Sequence, residues 1–458
     1  MSNKIFNLLI VGSGLSSLIF AEEFLKENSK LHMISPQFKD KKVRGDKKLN
    51  IDYKTLPPQI KKDFNHIQDY FNYNKFIFKK KNCNILGALG LGGLSNYWGL
   101  QMDKDDDSDL DLFGKKTKEQ IIKNLIEILN EKTLFGSYKN YSNDFELDSF
   151  YERLLSKNKR EKNLIINKSL LASNNLKKKK GEELRPNLIL KKIKKKLVIH
   201  NYFLEKIEKK GNLTKLYCTN EKQNKIFLTK KLILAGGTLS TTKLIMDYLN
   251  IKHEVPIKHH PRLTSVYLGR NKISSNMEMT PGLFQIKNTK DTFSGDIRPA
   301  NEMIIDLSLK IYSFLKPFKS ILMSLKNYIF FSNTLLGSKY SNLFIKKEKN
   351  YFVIYSKKKN TFKILKEKQS TIFSFLKKKK IIFPFYKNFF PGIGADYHYF
   401  GTVTPGNSKL SVNSNCQLNT NKSIYIVDGS VINFKKNLYP LGFVMANAKR
   451  IAKLIKKK

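Results

Sequence analysis

Apolar runs that each lead into a turn of small residues are the most regular pattern along this chain. Ile5 to Val11 is almost continuously apolar, which is typical of a parallel strand buried on both faces. Leu31 to Ile34 and Leu232 to Leu234 repeat the pattern. Short strands are also predicted over Leu197 to Ile207 and Thr214 to Cys218. Together these runs predict an α/β protein with a parallel sheet.

The turn after the first run carries glycines at a spacing that suits a bound nucleotide. The segment reads Gly12-Ser13-Gly14-Leu15-Ser16-Ser17 and passes into a pattern of apolar residues at helical spacing. Gly12 permits a tight turn, and Gly14 allows the backbone to approach a pyrophosphate at the helix N-terminus. The third position is Ser17, which is small enough for the helix and strand to pack closely. We therefore expect a dinucleotide here, although an ordinary glycine turn would show the same pattern.

The second predicted strand ends in a departure from the usual dinucleotide pattern. An acidic residue is expected about 20 residues after the glycine turn, where it binds a ribose hydroxyl. This chain has Ser35 there, followed by Pro36. A serine can still make one hydrogen bond to a ribose, but the usual carboxylate is missing.

Two further glycine-bearing stretches strengthen the prediction of a bound cofactor. Gly87 to Gly99 reads GALGLGGLSNYWG, which is too apolar for a linker and suggests a buried loop against a flat cofactor rather than a flexible loop. Lys231 to Ile245 reads KLILAGGTLSTTKLI and predicts a strand, a small-residue turn and a helix. Thr241 or Thr242 is the expected cap of that helix.

The C-terminal part of the chain contains three further recognisable segments. Asp396 to Thr402 reads DYHYFGT, and Ile424 to Ser430 reads IYIVDGS. From Val444 onward, apolar residues recur on one helical face with lysines opposite, which predicts an amphipathic helix. Strands are expected over Arg262 to Leu268, Met277 to Ile286 and Tyr351 to Tyr355.

Taken in order, these stretches resemble the glucose–methanol–choline (GMC) oxidoreductase family of flavoenzymes. The resemblance covers five blocks between residues 5 and 455, and the Trp98-Gly99 ending is similar to the gluconate and fructose dehydrogenase-like branch. It implies FAD, a discontinuous Rossmann-type FAD-binding domain and a substrate domain built on an antiparallel sheet. The FAD-binding domain would combine pieces 1–40, 80–100 and 190–260 with the C-terminal part 395–458. The substrate domain would span 261–394, and residues 101–189 would be helices and loops.

The resemblance also implies a set of site residues. His398 matches the catalytic histidine beside flavin N5, and a histidine suits removal of a hydroxyl proton near neutral pH. A core histidine satisfied by hydrogen bonds is the alternative for His398. The second active-site position falls at Tyr439, or at Asn437 with a small shift. Tyr439 can donate a hydrogen bond but is a poor base at neutral pH. The expected cofactor-binding residues are Gly12, Gly14, Leu15, Ser16, Ser35, Gly92, Gly93, Asn96, Trp98, Leu204, Gly236, Asp428 and Gly429.

The function implied is that of an FAD-dependent dehydrogenase or oxidase acting on an alcohol group, with hydride passing to flavin N5. The substrate would be a sugar or other polyol. The electron acceptor is unknown, because dioxygen, quinones and cytochromes leave no mark on one sequence. Other flavin chemistry, such as a transient oxidation during an epimerisation, fits the same residues.

The charge of the chain suggests a second, different function. The net charge is +47, and only eight of the 85 lysine and arginine residues are arginine. A solvated lysine-rich surface explains this, as does docking of a degenerate flavin fold on an anionic membrane or a nucleic acid. The scarcity of arginine makes nucleic acid unlikely as a partner. Leu307 to Leu336 is expected to be either a basic amphipathic surface helix pair or a helical lid on the substrate domain.

Metal, disulfide and targeting signals are weak. The alternating aspartates from Asp103 to Asp111 lack the glycine and glutamate of a calcium loop, so a solvated acidic loop is expected. A metal held by His253, His259 and His260 is not expected. Three cysteines lie far apart, which indicates a reducing compartment and a cytoplasmic location, with contact at the inner membrane face as an option. The apolar N-terminus is interpreted as strand, turn and helix rather than a signal peptide, and no transmembrane run is found.

Overall fold

The structure is a computed structural model of the 458-residue chain. It describes residues 4–36, 78–96, 98–103, 107–131, 152, 154, 163–172, 184–220, 222–272, 282–288, 291–300, 302, 305, 309, 313–357, 360–436 and 438–456.

The elements are numbered in chain order. The strands are β1 (Ile5–Val11), β2 (Leu31–Ile34), β3 (Phe78–Lys81), β4 (Gln101–Met102), β5 (Leu164–Lys168), β6 (Leu170–Leu171), β7 (Leu197–His200), β8 (Phe203–Lys210), β9 (Leu213–Thr219), β10 (Asn224–Leu234), β11 (Val255–Ile257), β12 (Arg262–Gly269), β13 (Phe284–Asn288), β14 (Phe293–Pro299), β15 (Ile329–Leu336), β16 (Leu343–Glu348), β17 (Tyr351–Ser356), β18 (Ile382–Phe389), β19 (Gln417–Leu418) and β20 (Asn421–Ile426). The α-helices are α1 (Leu15–Phe24), α2 (Lys115–Asn130), α3 (Pro186–Ile193), α4 (Thr238–Tyr248), α5 (Lys319–Ser324), α6 (Thr361–Lys378) and α7 (Leu441–Lys456).

A mostly parallel sheet forms the first layer, and its order is β19-β20-β10-β1-β2-β7. Strands β20, β10, β1, β2 and β7 run parallel to one another, while the hairpin of β8 and β9 pairs antiparallel with the first half of β10. The buried apolar side chains of β1 and β10 explain the continuous apolar runs, since both faces of this sheet are covered. Helix α7 packs against α1 and α2. The prediction of an α/β fold is confirmed.

A six-stranded sheet with the order β18-β12-β15-β14-β13-β5 forms the second unit, and all its pairings are antiparallel. In β12, Leu263, Ser265 and Tyr267 are buried on one face, against the apolar residues of α6. Arg262 and Thr264 lie on the opposite face, as the alternation of a strand requires. The expected antiparallel sheet is therefore present.

Two expectations about this unit are wrong. Leu307 to Leu336 was expected to be helical, yet Ile329–Leu336 is strand β15, inside the sheet and paired on both sides. Residues 101–189 were expected to hold only helices and loops, yet Leu164–Lys168 pairs with β13 and extends the same sheet. Both strands are completed by partners far away in sequence, which local pattern alone does not show. The first residues of the strand expected from Met277 lie outside the described residues, and its observed part is β13.

A smaller sheet with the order β11-β16-β17-β3 joins distant parts of the chain, since β3 pairs parallel with β17.

Within the described ranges, no helix has the length and apolar character needed to cross a bilayer.

Candidate active-site cleft

The cleft opens at the carboxyl edge of the parallel sheet. Strand β1 lies between β10 and β2 in the sheet. The strand after β1 in the chain, β2, lies on one side of it, whereas β10 and β20 lie on the other side, so the strand order reverses here. Such a point in an α/β sheet is where ligands commonly bind. The loops that follow β1, β2, β10 and β20 all line one cleft, which has a volume of about 380 Å³ and is partly open to solvent.

Packing against the neighbouring strand explains the first glycine of the N-terminal turn. Gly12 has a φ of +103°, and a Cβ atom there would lie 2.1 Å from the carbonyl oxygen of Ala235. Gly14 is the N-cap of α1, and a Cβ on it would meet its nearest atom only at 3.7 Å, the Ser95 hydroxyl. The backbone at Gly14 therefore lies at the start of a helix, in ordinary contact with the glycine-rich loop, and it lines the cleft.

Ser35 forms part of a small hydroxyl network at this end of the cleft. Its Oγ lies 2.7 Å from the Oγ of Ser13, and the Ser13 hydroxyl accepts a hydrogen bond from the backbone N–H of Gly92 at 2.9 Å. This network ties the glycine-rich loop to the N-terminal turn. Ser35 and Ser13 both line the cleft.

The loop expected to face a flat cofactor also lines the cleft. Gly92 and Gly93 both have positive φ, and the Ser95 hydroxyl accepts from the backbone N–H of Leu15 at 3.0 Å. Trp98 lines the cleft and donates its indole N–H to the carbonyl of Leu184. Asn96, in contrast, does not line the cleft, and its side-chain amide donates a hydrogen bond to the carbonyl of Leu91.

The turn after β10 begins helix α4 at Thr238, with Gly237 as its N-cap. The expected cap at Thr241 or Thr242 is therefore wrong, because both lie inside the helix. The Thr241 hydroxyl instead donates to the carboxylate of Asp428 at 2.5 Å. Gly236 lines the cleft beside this contact.

The Asp428 side chain is turned into the protein rather than toward the cleft space. Its carboxylate also accepts the backbone N–H and the hydroxyl of Ser430, and burial raises the pKa of Asp428. Gly429 is close-packed, since a Cβ there would lie 3.0 Å from Thr238 Oγ1 and from the Tyr399 carbonyl. This segment can thus meet a ligand mainly through its backbone.

Leu204 lies at the start of β8 and lines the cleft together with Tyr202 and Phe203. Leu15 and Ser16, in the first turn of α1, line it as well. Of the expected cofactor residues, only Asn96 is outside the lining.

His398 lines the cleft on a loop whose position is fixed by Asp396. The carboxylate of Asp396 accepts the backbone N–H of His398 at 3.1 Å and that of His260 at 3.3 Å. Its other oxygen lies 2.7 Å from Nδ1 of His259, and both side chains are fully buried. One carboxylate thereby joins the segment before β12 to the segment that carries His398.

The hydrogen bonds of His260 assign the protons of His398. Nε2 of His260 lies 3.1 Å from the carbonyl oxygen of Phe434, and a carbonyl can only accept, so this nitrogen carries the proton. The Nδ1 of His260 is then an acceptor, and it lies 3.4 Å from Nδ1 of His398. His398 therefore donates from Nδ1, and its Nε2 keeps a lone pair.

Both imidazoles are held in the neutral form. Burial, together with the charges of Arg262 and Arg298, lowers the pKa of His398 to about 4 against the opposing effect of Asp396. Burial, followed by the proximity of His398, lowers the pKa of His260 to about 3. A neutral His398 with a lone pair on Nε2 has the form that a general base needs.

Tyr439 also lines the cleft, and burial raises the pKa of its hydroxyl far above the usual range. It therefore stays protonated and can act as a hydrogen-bond donor. The segment before it is anchored by Asp109, whose carboxylate accepts the backbone N–H groups of Lys435 and Lys436. Asn437, the other candidate for this position, lies outside the described residues.

Several residues of the cleft were not expected from the sequence. Asp396 lay in a recognised segment but had no expected role, Arg262 was expected only as the first residue of a strand, and nothing was expected of Arg298. The signal that points to Asp396 is its spacing of two residues from His398. The two arginines could not be found from the sequence, because only the antiparallel pairing of β12, β15 and β14 brings both of them to the cleft.

The expected solvated loop from Asp103 to Asp111 is wrong for Asp103 and Asp109, whereas Asp111 is exposed and Asp105 lies outside the described residues. Asp103 is buried and pairs with Lys287 at 2.6 Å, and Asp109 is buried in its anchoring contacts. Over the parts of the chain that the structure describes, no group of three or more His, Cys, Asp or Glu side chains is arranged to hold a metal ion.

No protein-family model and no curated protein sequence matches this chain. Among solved structures, the fold is similar to the crystal structure of pyridoxine 4-oxidase from Mesorbium loti, with a TM-score of 0.65 and 11% sequence identity. The likeness covers 99% of each chain. It shows the fold, and this fold is the GMC-like architecture that the sequence resemblance implies.

Proposed function

We propose that this chain is an FAD-dependent oxidoreductase that oxidises an alcohol group of a small molecule. One observation carries the proposal. A neutral histidine with a lone pair on Nε2 lines the same cleft as the glycine turns of a Rossmann-type sheet. A histidine that only filled the core would not need a cleft beside it.

The residues that line the cleft fit FAD. The backbone at Gly14 and the first turn of α1, which line the cleft, would hold the pyrophosphate. The hydroxyls of Ser13 and Ser35 would take the place of the missing carboxylate at the ribose, and Leu204 would contact the adenine. The backbone of Gly92, Gly93 and Gly429 would border the ring system, with Trp98 and Gly236 beside it. When bound, FAD supplies a hydride acceptor at N5.

The chain supplies the proton chemistry and the orientation. Nε2 of His398 accepts the hydroxyl proton of the substrate as its carbon is oxidised. His260 keeps His398 in the required tautomer, and Asp396 fixes the backbone of both. Tyr439 donates a hydrogen bond to a substrate oxygen and does not compete for the proton, because its pKa is high.

For the substrate we propose a sugar or other polyol, in keeping with the branch that the sequence is similar to. The name of the structural neighbour, pyridoxine 4-oxidase, adds pyridoxine to the alcohols worth testing. Whether electrons leave to dioxygen or to another acceptor decides between an oxidase and a dehydrogenase.

The test is the visible spectrum of the purified protein after addition of FAD, followed anaerobically with a panel of alcohols. We expect bound flavin that one or more alcohols bleach. His398→Ala should retain the flavin and lose at least about a hundredfold in bleaching rate, the usual range for a general base. His253→Ala is the matched control, because His253 is exposed and outside the cleft. A protein that does not bind FAD, or equal bleaching by His398→Ala, would refute the proposal.

A second function, docking on an anionic membrane, is favoured by one exposed segment. Phe314, Phe318 and Ile321 are 69%, 52% and 57% exposed, and the lysines Lys316 and Lys319 lie between them. Large apolar side chains next to lysines are the composition of a membrane-surface segment. This segment leads into β15 at Ile329, and none of residues 313–328 lines the cleft.

Sedimentation with lipid vesicles tests this second function. Vesicles rich in phosphatidylserine should bind the protein, and binding should fall steeply with salt, whereas vesicles of phosphatidylcholine alone should bind little. Replacing Phe314, Phe318 and Ile321 by serine should abolish binding, while Phe362→Ser, an exposed phenylalanine on α6, should not. Binding that survives the triple replacement would exclude this surface.

A further inference from the structure

Arg262 is the first residue of β12, directly after His259, His260 and Pro261. Its side chain lines the cleft that also holds His398. Only one other arginine among the described residues, Arg298 on β14, lines this cleft. The two differ in how their charges are balanced.

Arg298 has a carboxylate partner inside the protein. Its Nε and Nη2 bind Asp296 at 2.8 and 2.5 Å, and Nη2 also donates to Gln101 at 2.7 Å. Lys287, farther along the same polar face of the sheet, is paired with Asp103. The charges on this side of the cleft are therefore neutralised in pairs, except at Arg262.

Arg262 has only neutral partners in the described part of the chain. It donates from Nη2 to the carbonyl of Ala395 at 2.9 Å, and its guanidinium lies 5.5 Å from the ring centroid of Tyr397. Its Nε is buried without a hydrogen-bond partner. A buried donor that lacks a hydrogen-bond partner is costly, so such a group persists where a ligand completes it.

We propose that the substrate alcohol carries a carboxylate and that Arg262 binds this carboxylate beside His398. The inference rests on the proposed function and names the substrate class of the same site. A planar guanidinium matches a carboxylate in geometry, and its single uncompensated charge matches a singly charged anion better than a phosphate. This narrows the substrate class proposed above from sugars and polyols in general to those that carry a carboxylate, that is, to hydroxy acids.

Binding of the carboxylate would also assist the base. The charge of Arg262 is among the causes that hold the pKa of His398 low, after burial. A carboxylate paired with Arg262 offsets that charge, so the affinity of His398 for the hydroxyl proton rises when a hydroxy acid is bound. A neutral alcohol leaves the proton affinity of His398 unchanged.

Calorimetric titration of the FAD-loaded protein tests the proposal without relying on turnover. The probes are glycerate and gluconate, their neutral counterparts glycerol and sorbitol, and glycerol phosphate. We expect at least one of the two acids to bind more than about tenfold tighter than its neutral counterpart. Arg262→Gln should weaken binding of that acid about a hundredfold and leave the neutral compound unchanged, as for a lost buried charge pair. Arg262→Lys, which keeps the charge, should retain part of the preference and serves if the glutamine variant does not fold.

Arg270→Gln is the matched control, since Arg270 follows the other end of the same strand and its guanidinium lies over Phe383. Equal binding of acids and neutral compounds, no binding of either acid, or a preference that survives Arg262→Gln would overturn the proposal. Arg262-dependent binding of glycerol phosphate alone would overturn the carboxylate assignment.

The two proposals fail in different ways. Bleaching of the flavin by neutral polyols, with no effect of Arg262→Gln, refutes the hydroxy-acid inference and supports the proposed function. Arg262-dependent binding of an acid, with no bleaching by any alcohol, supports the anion site and refutes the proposed function.

Discussion

Asp396 is the residue whose replacement should reveal most about this site. In Asp396→Asn the amide oxygen can still accept the backbone N–H groups of His260 and His398, but the amide nitrogen replaces the oxygen that faces His259 at 2.7 Å. The buried hydrogen bond to a charged acceptor is lost, and His259 must either leave its Nδ1 proton without an acceptor or move that proton to Nε2, which has no partner in the described structure.

The expected cost is about 3 kcal/mol in the free energy of unfolding, the range for loss of one partner of a buried pair. Although burial acts to raise it, His259 holds the pKa of Asp396 below its ordinary value of 3.8. The contribution of the carboxylate is therefore complete above that value and is lost as the pH falls below it. A measurement at about pH 7.5 captures the full effect.

Urea unfolding at fixed FAD concentration measures this cost, with Asp291→Asn as the control. Asp291 is partly exposed and pairs with Lys339 and Lys368, so its replacement should cost less than about 1 kcal/mol. The reasoning is refuted if Asp396→Asn is no more destabilising than Asp291→Asn.

Three further predictions concern the same cleft. With the pKa of His398 near 4, kcat/KM for alcohol oxidation should be flat from about pH 8 down to about pH 5 and fall only as the pH approaches 4, because protonation removes the lone pair; a midpoint near 6.5 would contradict the burial of this imidazole. His260→Gln, which keeps an acceptor for Nδ1 of His398, should retain much more of the flavin reduction rate than His260→Leu, at equal flavin content; equal rates would show that His260 does not set the tautomer. Gly12→Ala should prevent accumulation of folded protein because the new Cβ would lie 2.1 Å from the Ala235 oxygen, whereas Gly211→Ala, where φ is also positive but nothing lies within 4 Å, should cost only about 1 kcal/mol in unfolding studies.

The parallel sheet could be predicted from the sequence because the residues of each strand alone show that the strand is buried on both faces. A strand buried on both faces needs apolar residues at successive positions, so β1 and β2 were predicted with their observed bounds, as was the end of β10. The antiparallel sheet was harder. Strand β15 contains both apolar and polar residues, because one face meets the core and the other meets the polar side of the cleft. The segment before it contains several lysines, a composition typical of a surface helix.

The site shows the same division. His398 and the glycine turns stand in short segments whose residue order carries the information. The tautomer of His398 depends on His260, 138 residues earlier, and on the carbonyl of Phe434. The unbalanced charge of Arg262 depends on which carboxylates the fold places near other cations. Neither relation exists until the sheet is assembled.

A crystal structure of the protein with FAD would show whether His398 lies beside the flavin. We expect the isoalloxazine ring in the cleft, with N5 on the side of Nε2 of His398 and the pyrophosphate at the start of α1. A cleft that stays empty at saturating FAD, or a ring system bound away from His398, would contradict this expectation.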